Sequence, residues 1–196
     1  MSSDSLVYSL YQCERDFIWK TLERVHKNGD TIIEIGAYNG ITSGLLGLFC
    51  KNNGGQVYCI DPWDNSQDNS SDEQYQNFLT NTINLPVTPI RSYSNNVNFD
   101  MFKDVSFIFI DGNHTENCCY NDLKHYYPLL KKGGVILVHD IFSIFWRQNI
   151  KGAVDNFVHD MQISKVEYVH FFERNTHTQE LYKRDMNGGF AIISKE

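Results

Sequence analysis

Apolar positions along the chain change period several times, and each change marks an element. Leu10, Cys13, Phe17, Leu22 and Val25 recur at near-helical spacing, which predicts a helix over residues 9–27 stopped by Asn28-Gly29. Residues 31–35 form a short apolar run ending in Gly36, as a buried strand would. Residues 41–50 read as a helix ended by Asn52-Asn53-Gly54-Gly55, and 56–60 as a second buried strand. Strand, helix and strand within roughly thirty residues make a parallel βαβ unit.

The alternation continues downstream. Residues 64–73 are rich in Asn, Ser, Asp and Gln and read as a loop; a helix over 72–83 and a strand over 86–90 follow. Residues 104–110 are apolar enough for a central strand. Cys119, Leu123, Tyr126, Tyr127 and Leu130 follow helical spacing, with Pro128 near the end. Lys132-Gly133-Gly134 is expected to turn the chain into a strand over 135–138, followed by a helix over 152–161. Two late β-rich stretches, 166–172 and 189–194, are expected to pair as an antiparallel C-terminal hairpin. The expected fold is α/β: a Rossmann-like, doubly wound, mostly parallel seven-stranded sheet. One domain over residues 1–196 is expected, with residues 1–28 as a helical extension.

In such sheets ligands sit beyond the carboxyl ends of the strands. Those ends carry Glu34 and Gly36, then Asp61, then Ser92 and Tyr93, then Asp111, then His139 and Asp140. The segment Glu34-Ile-Gly36-Ala37-Tyr38-Asn39-Gly40 has the form E-x-G-x-x-x-G. Its glycines allow a sharp turn and close approach of backbone to ligand. Asp61 can accept hydrogen bonds from both hydroxyls of a ribose. A dinucleotide would require G-x-G-x-x-G, which is absent, and Glu34 would oppose a diphosphate. A cationic ligand with an amino-acid tail fits better.

Composition narrows the class of partner. The 196 residues carry a formal net charge of −7, which disfavours a nucleic-acid partner. Five cysteines with no C-x-x-C pair argue against a disulfide framework or zinc site and for a reducing compartment. No apolar run reaches the roughly 18 residues of a membrane span, and the first ten residues lack a signal-peptide pattern. A cytoplasmic protein without a membrane partner is expected.

At this point the sequence resembles a known superfamily. Glu34-Ile-Gly36-x-x-x-Gly40 with Asp61 looks like motifs I and II of class I S-adenosylmethionine-dependent methyltransferases. Phe109-Ile-Asp111-Gly-Asn-His114, Asp122, Pro128-Leu-Leu, Gly133-Gly134, His139-Asp140 and Gly152-Ala-Val-Asp-x-Phe157 are similar to its methyltransferase-24 group, relatives of the macrocin and catechol O-methyltransferases. The resemblance covers roughly residues 31–157. Asn113 and Thr115-Glu116 depart from the group's more usual Asp and Ser-Tyr, and His139-Asp140 stands where two acids are frequent.

The resemblance implies S-adenosyl-L-methionine as cofactor. Glu34, Gly36, Ala37, Tyr38 and Gly40 would border its methionine part, with Asp111 nearby. Asp61 would hold the ribose, Trp63 or Tyr93 would pack on adenine, and Ser92 would reach the adenine edge. A hydroxyl acceptor is a weak nucleophile and needs a base or a metal. Asp111, His139 and Asp140 are the expected ligands of Mg²⁺ or a softer divalent ion. Asp111 and His139, then His114, are the expected catalytic groups, because imidazole titrates near neutrality. The structural alternative is that these acids cap helices or anchor loops. Phe142, Phe145 and Trp146 would either line the acceptor pocket or pack the next helix. The stretch 173–185 would close over the site or support a homo-oligomer.

The expected activity is methyl transfer to a small-molecule hydroxyl of a sugar or natural product. The alternatives are metal-independent or N-methyl transfer on the same fold, a nicotinamide-dependent oxidoreductase, or a non-catalytic module that keeps the pocket.

Overall fold

The computed structural model describes residues 10–64, 71–142, 149–171, 173–174, 181–182 and 189–196. In chain order the elements are α1 (Gln12–Val25), β1 (Thr31–Ile35), α2 (Ile41–Asn53), β2 (Gln56–Asp61), α3 (Ser71–Asn81), β3 (Val87–Arg91), β4 (Val105–Ile110), α4 (Glu116–Tyr126), β5 (Leu130–Val138), α5 (Ile150–Asp160), β6 (Val166–Val169), β7 (Glu173–Arg174), β8 (Leu181–Tyr182) and β9 (Phe190–Ser194). The main sheet has seven strands in the order β3-β2-β1-β4-β5-β9-β6, and β7 and β8 form a separate two-stranded ribbon. Strands β1 to β5 are mutually parallel, and β9 runs antiparallel to both its neighbours. The expected terminal pair is present as β6 and β9, with β9 inserted beside β5.

Side-chain alternation builds a core on each face of the sheet. Ile33, Ile35, Ile108, Ile110, Ile136 and Val138 meet Leu123 and Tyr126 of α4 and Ala153, Val154 and Phe157 of α5. Ile32, Phe107, Phe109, Val135 and Leu137 project the other way, against Ile18 and Leu22 of α1 and Leu46 and Phe49 of α2. Both faces of β1 and β4 are covered, which is why these strands read as predominantly apolar runs.

One expected boundary changes. Leu130 does not end a helix, and Gly133-Gly134 is not an isolated turn; both belong to the nine-residue β5. The Gly133 N–H donates to the Lys195 carbonyl at 2.8 Å and the Lys195 N–H to the Gly134 carbonyl at 3.0 Å. The distant C-terminal segment therefore supplies the partner that keeps this stretch extended.

The sheet order reverses between β1 and β4. Gly36, Asp61, Asp111, His139 and Asp140 follow the ends of β1, β2, β4 and β5 at that switch.

Candidate functional site

The turn after β1 is built for close approach. Gly36 has φ +87°, and a Cβ there would lie 2.0 Å from the Asp111 carbonyl oxygen, so β1 and the end of β4 meet through a position only glycine can fill. Gly40 has φ +79° at the start of α2, and its face abuts the Phe78 backbone. Between them Tyr38 adopts φ 44°, a left-handed conformation costly for a large side chain.

Asp61 secures this turn. Its Oδ2 accepts from the Tyr38 N–H at 3.0 Å and its Oδ1 from the Trp63 N–H at 2.8 Å. Burial raises the carboxyl's pKa against these backbone contacts.

Trp63 departs from expectation. Its ring is 1% exposed, lies 4.8 Å from Tyr75 and 4.9 Å from Phe78 between ring centroids, and donates from Nε1 to the Tyr38 carbonyl. It braces the turn from beneath and presents no free face to adenine. Tyr93 is 54% exposed and donates its hydroxyl to Asp64, and Ser92 Oγ contacts the neighbouring Tyr93 carbonyl. Of the two aromatic candidates, Tyr93 is the accessible one.

Glu34 is also enclosed. It is buried and accepts a hydrogen bond from the Ser43 hydroxyl. Burial pushes its carboxyl up to about 7, with Asp111 and Asp61 adding repulsion.

The opposite side of the crevice gathers two acids and two imidazoles. His114 Nε2 lies 3.0 Å from Asp140 Oδ2 and 3.4 Å from Asp111 Oδ1. His139 Nδ1 lies 3.4 Å from Asp111 Oδ1 and 3.5 Å from Asp140 Oδ1, yet this buried nitrogen makes no hydrogen bond. Asp111, His139 and Asp140 each offer a ligand atom within 4.8 Å of the others, the arrangement that suits a divalent ion. Asp140 reaches this place through a left-handed φ of 57°.

Charge coupling follows the geometry. Contacts with Asp111 and Asp140 push His114 up to about 9, against the effect of burial. Burial works against a charged His139, but Asp111, Glu14 and Asp140 outweigh it and hold its pKa well above the ordinary value. Burial likewise opposes ionised Asp111, and the two imidazoles overcome this to hold it well below the carboxylate range.

Residues 33–141, more than half of the chain, match the model of a family described as a methyltransferase domain. The chain belongs to this methyltransferase family.

An uncharacterized protein of Acanthamoeba polyphaga mimivirus is 29% identical to this chain over 150 residues, 71% of this chain and 64% of that protein. The chain thus spans less than two thirds of that relative's length. Among solved structures, a precorrin-6y C5,15-methyltransferase from Geobacter metallireducens aligns with TM-score 0.69 and 16% identity, covering 100% of this chain and 94% of that one. An rRNA methylase homologue from Clostridium thermocellum aligns at 0.65 and 20%, covering 94% and 96%. An O-methyltransferase from Bacillus cereus, in complex with S-adenosylhomocysteine, aligns at 0.65 and 13%, covering 98% and 86%. These likenesses establish the shared fold.

Asp111, His114, His139 and Asp140 lie together beyond the ends of β4 and β5. Asn113 and Thr115, where the motif departs from the group's pattern, form the entry to α4: Asn113 Oδ1 accepts from the Thr115 N–H, and Thr115 Oγ1 from the Cys118 N–H. Phe142 packs on the His170 ring, at 4.7 Å between centroids. Phe145 and Trp146 lie outside the described residues, as do residues 65–70 and most of the 173–185 stretch.

Sequence reasoning missed Glu14. It is 1% exposed, on the inner face of α1, and its Oε1 lies 3.1 Å from His139 Nε2. A signal was present: Glu14 is four residues after Leu10 and four before Ile18, so an acid interrupts the apolar stripe.

Proposed function

We propose that this methyltransferase moves the methyl group of S-adenosylmethionine to a hydroxyl of a small molecule, a sugar or natural product, with a divalent ion held by Asp111, His139 and Asp140. The observation that carries the reading is the convergence of two carboxylates on a buried His139 Nδ1 without a hydrogen-bond partner. A buried nitrogen that makes no hydrogen bond while facing two acids fits a cation-binding set better than helix caps or loop anchors.

On the cofactor side, Asp61 would accept from the ribose with the acceptor capacity its backbone contacts leave free. Gly36 and Ala37 would present backbone to the methionine part, and Tyr93 the accessible ring for adenine, with Ser92 at its edge. Tyr38, held by Asp61, fixes the path between them.

A bound divalent ion would supply Lewis acidity that makes an acceptor hydroxyl easier to ionise. Asp111 and Asp140 would orient the acceptor beside the methyl donor, and such positioning supplies much of the rate. His114, 3.0 Å from Asp140, is placed to take the acceptor's proton once its own charge is no longer held by the two acids. The net charge of −7 supports a small acceptor over RNA.

Calorimetry tests both halves. S-adenosylhomocysteine is expected to bind wild type and Asp140→Ala alike, whereas Mn²⁺ binds wild type and is at least tenfold weaker in Asp140→Ala. Equal Mn²⁺ affinity in the two proteins would remove the ion from this site.

A further inference from the structure

We propose that Glu14 is a positioning residue of the transfer site: its buried carboxylate accepts the Nε2–H of His139 and so turns Nδ1 toward Asp111 and Asp140. The cation-binding role of that atom rests on the function proposed above; the placement of the ring does not.

Four observations carry the inference. Glu14 belongs to α1, outside the segment shared with the methyltransferase family, so nothing in the shared motif requires an acid there. The carboxylate is almost completely buried in a helix face that otherwise meets the apolar core, a costly place for a charge without partners. It is fully engaged: Oε2 accepts from the Tyr11 N–H at 3.0 Å, while Oε1 faces His139 Nε2 at 3.1 Å and the Gly189 N–H at 3.3 Å. The imidazole is confined between Phe109 and Phe190, with centroids 6.0 and 5.2 Å away.

The direction of the hydrogen bond follows from these contacts. An ionised carboxylate only accepts, so the His139 nitrogen facing it carries the proton. With Nε2 engaged by Glu14, Nδ1 is the nitrogen that faces the acids, where a cation would take the place of a proton. Carboxylates recur behind metal-ligating histidines for this reason, and their loss commonly costs 10- to 100-fold in metal affinity. Glu14 also ties together the start of α1 and the backbone preceding β9. The helical extension thereby joins the site it covers.

Two variants and two readouts test the proposal. Glu14→Gln keeps size and the Tyr11 contact, and Glu14→Leu removes the acceptor; circular dichroism and S-adenosylhomocysteine affinity report whether each folds. In ¹⁵N-histidine NMR spectra of the metal-free protein, wild type is expected to show an Nε2 proton on His139 protected from exchange with water. Protection is expected to fall in Glu14→Gln and vanish in Glu14→Leu. Mn²⁺ affinity is expected to fall about tenfold or more in either folded variant, with S-adenosylhomocysteine affinity within twofold of wild type. A wild-type His139 lacking the Nε2 proton, or variants that keep both protection and Mn²⁺ affinity, would overturn the role of Glu14. If wild type binds no Mn²⁺, the ion is lost from the proposed function and the NMR comparison alone decides for or against Glu14. If Glu14→Leu does not fold, Glu14→Gln carries the test.

Discussion

A Cβ on Gly36 would lie 2.0 Å from the Asp111 carbonyl oxygen, in a backbone conformation with φ +87°. Gly36→Ala is therefore expected to cost on the order of 4 kcal/mol, combining overlap with left-handed strain. A melting curve of the variant checks this, and a shift of only a degree or two would show that the turn can yield. At Asp61 the expected loss is in binding: removing a charged acceptor of ribose hydroxyls should weaken S-adenosylhomocysteine roughly 10- to 100-fold in Asp61→Ala, as hydrogen bonds to charged groups are worth about 1.5–3 kcal/mol. Unchanged affinity by calorimetry would remove Asp61 from the cofactor site. Gly36 and Asp61 were legible in the sequence because a glycine turn and a strand-end acid have few other uses at a switch point. Trp63 was not, because whether an aromatic ring faces a ligand or the core depends on Tyr75 and Phe78, which come from a helix ten and more residues away.

At the scale of elements, β1, β2 and β4 were readable because each is a short, predominantly apolar run, and both faces of β1 and β4 are buried. Leu130 to Gly134 was misread because its extended state depends on pairing with Lys195, a contact that no local window contains. The packing of α2 on the sheet also leaves a signature in the pH dependence of stability. Glu34, closed in beneath α2 with Ser43, has its pKa raised from 4.5 to about 7. Below pH 4.5 both the folded and the unfolded chain hold this proton. Between pH 4.5 and 7 the unfolded chain releases it first, so stability falls as pH rises. The effect reaches roughly 3 kcal/mol above pH 7, at about 1.4 kcal/mol per pH unit. Denaturant midpoints should show Glu34→Gln gaining on wild type as pH rises through this window. A constant difference between the two proteins from pH 5 to 8 would mean that Glu34 is not held in an environment hostile to its charge.

At the scale of the molecule, the described residues place the acids of β4 and β5 on one side of the crevice and the turn after β1 on the other. α1 closes behind His139 through Glu14. The central parallel strands and the strand-end acids were legible because each follows from a short run of residues. The link from α1 to the site was not, because Glu14 and His139 are 125 residues apart and meet only after the sheet and both its faces are assembled. No helix among the described residues is long and apolar enough to cross a membrane.

The most direct test is methyl transfer from labelled S-adenosylmethionine to a panel of hydroxylated small molecules, before and after chelation and with Mg²⁺ or Mn²⁺ restored. Label transferred to at least one hydroxyl, lost on chelation by a factor of ten or more and recovered with the ion, is the expected result. Transfer that persists undiminished in chelator, or that is confined to RNA, would contradict a cation-assisted small-molecule O-methyltransferase.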